Sequence, residues 1–332
     1  MVNQVKYKTA RKALGIDFGG TAIKIGLVDE TGRVLEERRF ATADFSSPSK
    51  WLGLIGRHVA DCAAKKQKLA GIGVGVPGFT DFARGFIYNL TNVPGWTSVP
   101  LAEIMRKKFG RPVYVDNDVN AMALGEHLHG AGKGLRHVFF ATLGTGVGGA
   151  LVINGRLYRG AYSMAGEIGH VSINRNGRKT REGRGGLETY VGNRQIVKYV
   201  RSALRRGKKS MIASLVKNDP RQITPKTIAH AAARGDHLAL EIMDKIADCL
   251  ATAFASVTYL LQPEAIIVGG GVAESGAVLF NPLRRHLAER LHKYFAARIR
   301  IIPAVLGPKA GMIGCAALVF QNDPQKTRRN RR

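Results

Sequence analysis

Two glycine-threonine loops and a handful of polar residues carry the chemistry open to this sequence. The first loop, Asp17-Phe18-Gly19-Gly20-Thr21, follows the apolar run Leu14–Ile16 and precedes alternating Ile23, Ile25 and Leu27. That pattern reads as strand, tight loop, strand. Gly19 and Gly20 let the backbone approach a ligand with no Cβ in the way, and exposed N–H groups in such a loop can cradle phosphate oxygens. Asp17, at the end of a buried strand, can orient Mg²⁺ through water. Alone, this stretch is equally well an ordinary hairpin. A second copy changes the balance. Gly144-Thr145-Gly146 also leads into an apolar strand that ends at a Gly-Arg turn, Gly155-Arg156, as the first ends at Gly32-Arg33. One such hairpin in each half implies two similar lobes facing a nucleotide.

Other polar residues stand at equally suggestive places. Asn117-Asp118 closes the short strand Val113–Val115 and opens an alanine-rich helix. Either residue can cap that helix, and a strand end beside a cleft is also where α/β proteins place chemistry. Asn92, in the loop Asn89–Trp96, can hydrogen-bond a polyhydroxyl ligand walled by Trp96, or the loop is a surface segment with one anchoring Trp. Literal G-x-G-x-x-G patterns occur at Gly73, Gly75, Gly78 and at Gly144, Gly146, Gly149. Neither is followed by a helix, so neither is a dinucleotide fingerprint. A Walker-type G-x-x-x-x-G-K-[ST] is missing from the sequence.

The positioning elements follow from periodicity. Helical spacing runs over Trp51–Ala64, Glu188–Leu204, Asp236–Leu261, Leu279–Phe295 and Ala310–Phe320, with buried strands at Ala70–Val76 and Ala265–Val268. The chain has 332 residues, 45% of them hydrophobic, enough for one large domain or two ordinary ones. Cys62, Cys249 and Cys315 are scattered and odd in number, which points to a reducing cytoplasm. The basic start lacks a signal-peptide core. The run Cys249–Leu261 is too short to span a bilayer, so no membrane association is expected. Net charge is +27, with four net positive charges in residues 1–12 and four in 322–332, which leaves +19 on the body. Such a field attracts polyanions, though it equally reflects solvated surface lysines and arginines.

In order, the motifs are Gly15-Ile16-Asp17-Phe18-Gly19-Gly20-Thr21, Pro77-Gly78, Asn117-Asp118, Gly144-Thr145-Gly146, Gly166-Glu167-Ile168-Gly169-His170, Gly185-Gly186-Leu187-Glu188, Val268-Gly269-Gly270-Gly271 and Ala310-Gly311-Met312-Ile313-Gly314. Over about residues 13 to 320 they resemble the ROK family of sugar kinases and repressors, within the actin–hexokinase superfamily. The resemblance implies an α/β, two-lobed actin/hexokinase-like (ribonuclease H-like) fold with the active site in the interlobe cleft. The lobes are expected at 12–118, joined by a returning helix at 308–321, and at 119–307, with a disordered basic tail at 322–332. It implies ATP-Mg²⁺ as donor and a hexose, foremost glucose at its 6-hydroxyl, as acceptor, with fructose, mannose and N-acetylhexosamines as alternatives. Asp118 matches the general base. Asn92, Asn117, Asp118, Glu167, His170 and Glu188 are expected to hold the sugar. Asp17, Gly19, Gly20, Thr21 and Lys24, with Gly144, Thr145, Gly146, Gly269 and Gly270, are expected to hold the nucleotide. The resemblance also implies a homodimer.

In one place the chain departs from the family. Many members carry a zinc site as Cys-x-Cys-Gly-x-x-Gly-Cys-x-Glu. Aligned on Glu188, its cysteine positions hold Lys179, Arg181 and Gly186. No structural zinc is expected, and how the loop Asn174–Arg184 is held, and so how Glu188 is aimed, becomes the question. Some zinc-less relatives use inorganic polyphosphate, and the basic body fits that donor. Against it, Gly20-Thr21-Ala22 stands where those relatives carry Gly-Ser-Gly. A sugar-sensing regulator is the reading from another class. The dozen residues ahead of the first strand are too few for its DNA-binding domain, so specific nucleic-acid binding is not expected.

Overall fold

The computed structural model of the chain describes residues 10–45, 47–90, 93 and 95–322. Contacts divide the chain into two units. One takes the residues up to Lys133, Gly160–Met164 and those from Pro308 onwards; the other takes Gly134–Arg159 and Ala165–Gly307.

The first unit is built on a five-stranded sheet of order β3-β2-β1-β4-β8. Its strands are β1 (Lys12–Phe18), β2 (Ala22–Asp29), β3 (Val34–Ala41), β4 (Leu69–Val76) and β8 (Val113–Asn117). β1 runs antiparallel to β2 and parallel to β4, with Asp17 opposite Lys24 in the hairpin. Near-continuous apolar runs put β1 and β4 in the centre, buried along almost their whole length, as a strand covered on both faces requires. Val-Leu-Glu-Glu-Arg-Arg-Phe-Ala makes β3 a polar edge. Between β4 and β8 the chain adds a small sheet, β5 (Gly78–Asp81), β6 (Phe86–Leu90) and β7 (Thr97–Val99), and the helix α2 (Leu101–Phe109). Helix α1 (Pro48–Ala64) buries Trp51, Leu54 and Ile55.

The last helix, α11 (Ala310–Gln321), lies on this sheet. Two strand glycines admit it: a Cβ on Gly15 would run into the Met312 carbonyl, and one on Gly73 into that of Cys315. Helix α3 (Asp118–His129) packs beside α11, Leu124 against Ala317 and Leu318. That packing carries the first unit through α3 to Lys133, beyond the boundary expected at Asp118.

The second unit repeats the plan with β9 (Val138–Leu143), β10 (Val147–Ile153), β11 (Arg156–Tyr158), β14 (Ala265–Gly269) and β15 (Arg300–Pro303), in the order β11-β10-β9-β14-β15. The antiparallel and parallel pairings fall in the same places as in the first sheet. Strands β12 (Lys179–Thr180) and β13 (Gly183–Arg184) form a short ribbon. Helices α4 (Glu188–Val191), α5 (Asn193–Arg205), α6 (Met211–Leu215), α7 (Pro225–Ala233), α8 (His237–Leu261), α9 (Ala277–Arg290) and α10 (Lys293–Ala296) complete it. Helix α8 forms the centre of the core, with Ile246, Leu250 and Phe254 fully buried. It starts at the Asp236 cap and stops at Gln262, in the left-handed region at φ 47°, just before Pro263.

Two expected helices are each divided. The run from Leu279 breaks after Arg290, where Leu291 turns extended and His292 caps the next turn. The run from Glu188 breaks at Gly192, and this break matters for the site. No helix among the described residues is long and apolar enough to cross a membrane.

Candidate active site

In the first unit the functional residues gather where β1 and β8 end. Asp17 is buried, and its Oδ2 accepts a hydrogen bond from Lys24 Nζ at 3.0 Å. The loop beyond it is tied at its base: Gly19 N–H donates to Ala22 O at 3.0 Å, and the Thr42 hydroxyl donates to Gly19 O at 2.7 Å. Gly20 and Thr21 at its tip are exposed. At the end of β8, Asn117 is the N-cap of α3. Its Oδ1 accepts the Val119 and Asn120 N–H groups at 2.8 and 3.2 Å, and its amide donates to Gly78 O at 3.2 Å. The cap reading of Asn117 thus holds, and it locks the amide at the strand end. Asp118 is the first residue of α3, with Val119 N–H donating to Oδ1 at 2.9 Å. Negative charge is favourably placed at such an N-terminus.

Two residues that the sequence reading left out support this group. Asp116 is fully buried and accepts from Asn120 Nδ2 at 2.9 Å and from Asn117 N–H at 2.8 Å. The buried Cys315 thiol of α11 donates to Ile16 O at 3.1 Å. Burial pushes that thiol well above its ordinary range, and Asp17, Asp116 and Asp118 push it the same way. Alternating glycines in β4 and the Gly-Met-Ile-Gly-Cys run of α11 were the available signal.

In the second unit, Glu167, His170 and Glu188 converge beside the Gly144-Thr145-Gly146 loop. Ile168–His170 is one turn of 3₁₀-helix, which brings His170 Nε2 to 3.8 Å from Glu167 Oε2. The Glu167 side chain is 42% accessible, yet surrounding protein raises its carboxyl above the ordinary range; His170 opposes that shift and Glu188 reinforces it. Glu188 is anchored from the loop itself, its Oε2 accepting the Val147 N–H at 2.9 Å. The anchor requires the neighbouring glycine, since a Cβ on Gly146 would collide with the Glu188 carboxylate. The helix break at Gly192 completes the arrangement. Extended backbone there lets Asn193 N–H donate to Gly144 O at 3.0 Å, so α5 starts against the loop. Gly269 ends β14 and Gly270 follows it, and Val272 N–H just beyond them donates to the O of Leu143, the residue before the loop, at 3.2 Å.

The loop carrying Lys179 and Arg181 is held by its own backbone. Ile173 N–H donates to Gly185 O at 2.9 Å, Gly185 N–H to Arg178 O at 3.0 Å and Leu187 N–H to Val171 O at 3.0 Å. Arg184 adds a bond to Gly177 O at 2.9 Å. These bonds fix the chain just ahead of Glu188. Among the described residues no group of three or more His, Cys, Asp or Glu is arranged to hold a metal ion.

Of the two readings of Trp96, the anchoring one fits: it lies 1% exposed in the first unit's core, edge-on to Phe18 and Trp51 with centroids 5.2 and 5.5 Å away. A large aromatic side chain gains more from such burial than from a loop surface. Asn92 lies outside the described residues.

Two α/β units of the same strand order, each opening on a glycine-threonine hairpin, define the actin- and hexokinase-like class of fold. The chain belongs to the ROK family, whose profile matches residues 13–322. It is 36% identical over 320 residues to a glucokinase of Halalkalibacterium halodurans, covering 93% of this chain and 95% of that protein. The crystal structure of a ROK family glucokinase from Streptomyces griseus in complex with glucose and AMPPNP is similar, with a TM-score of 0.81 and 32% identity, covering 94% of this chain and 100% of that one. A ROK family transcriptional regulator, a homologue of the Escherichia coli MLC protein, has a TM-score of 0.85 at 25% identity, covering 94% of this chain and 78% of the regulator.

Proposed function

We propose that the protein is an ATP-dependent hexokinase that phosphorylates glucose at its 6-hydroxyl. The observation that carries this reading is the complete acceptor set on one chain: Asn117-Asp118 at the end of β8, and Glu167, His170 and Glu188 around the second loop. The likeness to glucokinases over more than nine-tenths of the chain supports it.

In this reading Glu167, His170 and Glu188 bind the sugar hydroxyls, acting as directional acceptors and donors. The locked Asn117 amide has a second N–H to offer a sugar hydroxyl. Asp118 accepts the hydroxyl proton as the oxygen attacks the terminal phosphorus of ATP. The exposed loop tips at Gly20, Thr21 and Thr145 hold the phosphates, with Lys24 next to the first loop. Asp17, paired with Lys24, is the residue that would hold Mg²⁺, which when bound would supply charge neutralisation on the phosphates. Catalysis is then chiefly positioning and charge stabilisation. The backbone ladder of residues 173–187 does what zinc does in other members; about one zinc per chain in purified protein would contradict that. Three free thiols accord with a cytoplasmic enzyme, and a homodimer is the expected assembly, checked by light scattering.

Polyphosphate is the second donor reading, favoured by the basic surface of the second unit. The test is sugar phosphate production with Mg²⁺ and either ATP or polyphosphate, over glucose, fructose, mannose, N-acetylglucosamine and N-acetylmannosamine. Glucose with ATP is expected to give the highest kcat/KM. Binding of glucose without turnover on any sugar would favour the sugar-sensing regulator.

A further inference from the structure

Helix α5 and the segment from α6 to Ile223 enclose a groove of about 630 Å³ in the second unit. One side is cationic: Arg194, Lys198, Arg201 and Arg205 follow one another at four, three and four residues, which puts them in one stripe on α5. The bottom is apolar. Val216 and Ile223 are each 3% exposed, and Leu204, Ala213 and Pro220 rise around them with more of their surface open. Asn218 completes the wall, so among the described residues no carboxylate and no aromatic ring lines the groove. None of the residues proposed for the sugar or the nucleotide lines it either.

Arg201 fixes the width of the groove. It donates to Pro220 O and Arg221 O at 2.7 and 3.3 Å, and so ties α5 to the far wall. The other three cations are exposed, and among the described residues none of them is paired with a carboxylate. The Asp219 carboxylate, next to Pro220, is taken by Arg221 at 3.0 Å. The methylene stems of Arg194, Lys198 and Arg205 can lie along apolar surface while their heads stay in water. The groove therefore pairs an apolar floor with uncompensated positive charge on one rim.

We infer that this groove binds an amphipathic anion, a long-chain carboxylate, with its acyl chain over Leu204, Val216 and Ile223 and its head on the free cations of α5. Each half of the groove excludes ligands suited only to the other. An inorganic anion meets the cations and leaves the floor wet. A neutral apolar molecule covers the floor but takes water from cations that it cannot pair. A carboxylate pairs with a guanidinium through two parallel hydrogen bonds, and each CH₂ buried on the floor adds to affinity. The volume falls within the range of small-molecule sites, about 300–1,000 Å³. The inference does not rest on the kinase reading.

Calorimetry of the full-length chain with octanoate, decanoate and dodecanoate, each below its micelle-forming concentration and without sugar or nucleotide, tests this. Turnover does not enter that readout, so failure of the kinase reading cannot mimic failure of the groove. Wild-type protein binds, and affinity rises about tenfold with each two-carbon step, as burial of two further CH₂ groups requires. Decanol, the same chain without the charge, binds about tenfold more weakly than decanoate or worse. The triple variant Arg194→Gln/Lys198→Gln/Arg205→Gln loses about tenfold or more for decanoate, and Ala213→Glu, which sets a carboxylate on the floor, loses at least as much. Lys50→Gln/Arg57→Gln/Lys108→Gln, an equal charge change on the first unit, stays within about twofold. No binding of dodecanoate, an affinity that ignores chain length, or displacement of decanoate by equimolar inorganic phosphate overturns the inference. So do equal losses in the two triple variants, because bulk charge then explains binding. Thermal melts check folding, and should a groove variant fail to fold, the exposed Lys198→Gln and Arg205→Gln are measured singly, each with a smaller loss expected and no loss in either overturning the groove.

Discussion

Glu188 Oε2 accepts the backbone N–H of Val147 at 2.9 Å, directly over Gly146. A residue proposed for the sugar is thereby fastened to the loop proposed for the phosphates. Gly146→Ala would force the two apart. A displacement of that kind costs about 100-fold in kcat/KM, while the melting temperature changes little, since the loop is at the surface. Steady-state kinetics with ATP and glucose check it; a fall of less than a few-fold would show that the anchor is not needed for turnover.

Asp236 joins two helices of the second unit. Its carboxylate accepts Ala239 N–H at 2.9 Å as the cap of α8, and also Met211 N–H at 2.7 Å and the Ser210 hydroxyl at 2.9 Å. Burial pushes its carboxyl up, but these hydrogen bonds and His237 outweigh it, and the net position is below the ordinary range. The lowered group stabilises the fold above the unfolded-state pKa, and that contribution is lost as pH falls through the folded-state value. Asp236→Ala is expected to cost about 2 kcal/mol at neutral pH and progressively less in acid, as read from urea unfolding.

Glu167 has the opposite sign. Burial raises its carboxyl, so ionisation costs stability, and that cost grows as pH rises from about 4.3, the ordinary Glu value. Glu167→Gln removes it. The variant is expected to melt above wild type at neutral pH and level with it near pH 4, while its KM for glucose rises. Equal melting differences at both pH values would show that Glu167 titrates normally.

The thiols should be inert. Cys62 and Cys315 are buried and both are raised, and burial pushes Cys249 up to about 11. Since the thiolate is the reactive form, a thiol reagent at mildly alkaline pH is expected to label native protein slowly and to reach all three sites only in denaturant. Fast labelling in the native state would place at least one thiol in a more open setting.

The duplicated hairpins and buried strands were legible in the sequence because period and glycine-threonine spacing are local properties. So were Glu167 and His170, three residues apart on one turn. What was not legible depends on contacts between distant segments. Trp96 reads as a loop aromatic until Phe18 and Trp51, from other elements, enclose it. Gly192 divides a helix-like run because the Gly144 carbonyl lies across from Asn193. Helix α3 belongs to the first unit because α11, nearly 200 residues away, packs beside it.

In the proposed reaction this chain moves the terminal phosphoryl group of ATP to the 6-hydroxyl of glucose, with Asp118 taking the proton. Mass spectrometry and ³¹P NMR of a reaction with Mg²⁺, ATP and glucose, run beside Asp118→Asn, test it most directly. Glucose 6-phosphate and ADP in equal amounts from wild type, with turnover down by about 100-fold to 10,000-fold in the variant and glucose binding retained, is the predicted result. No sugar phosphate from wild type, or a variant as fast as wild type, would contradict it.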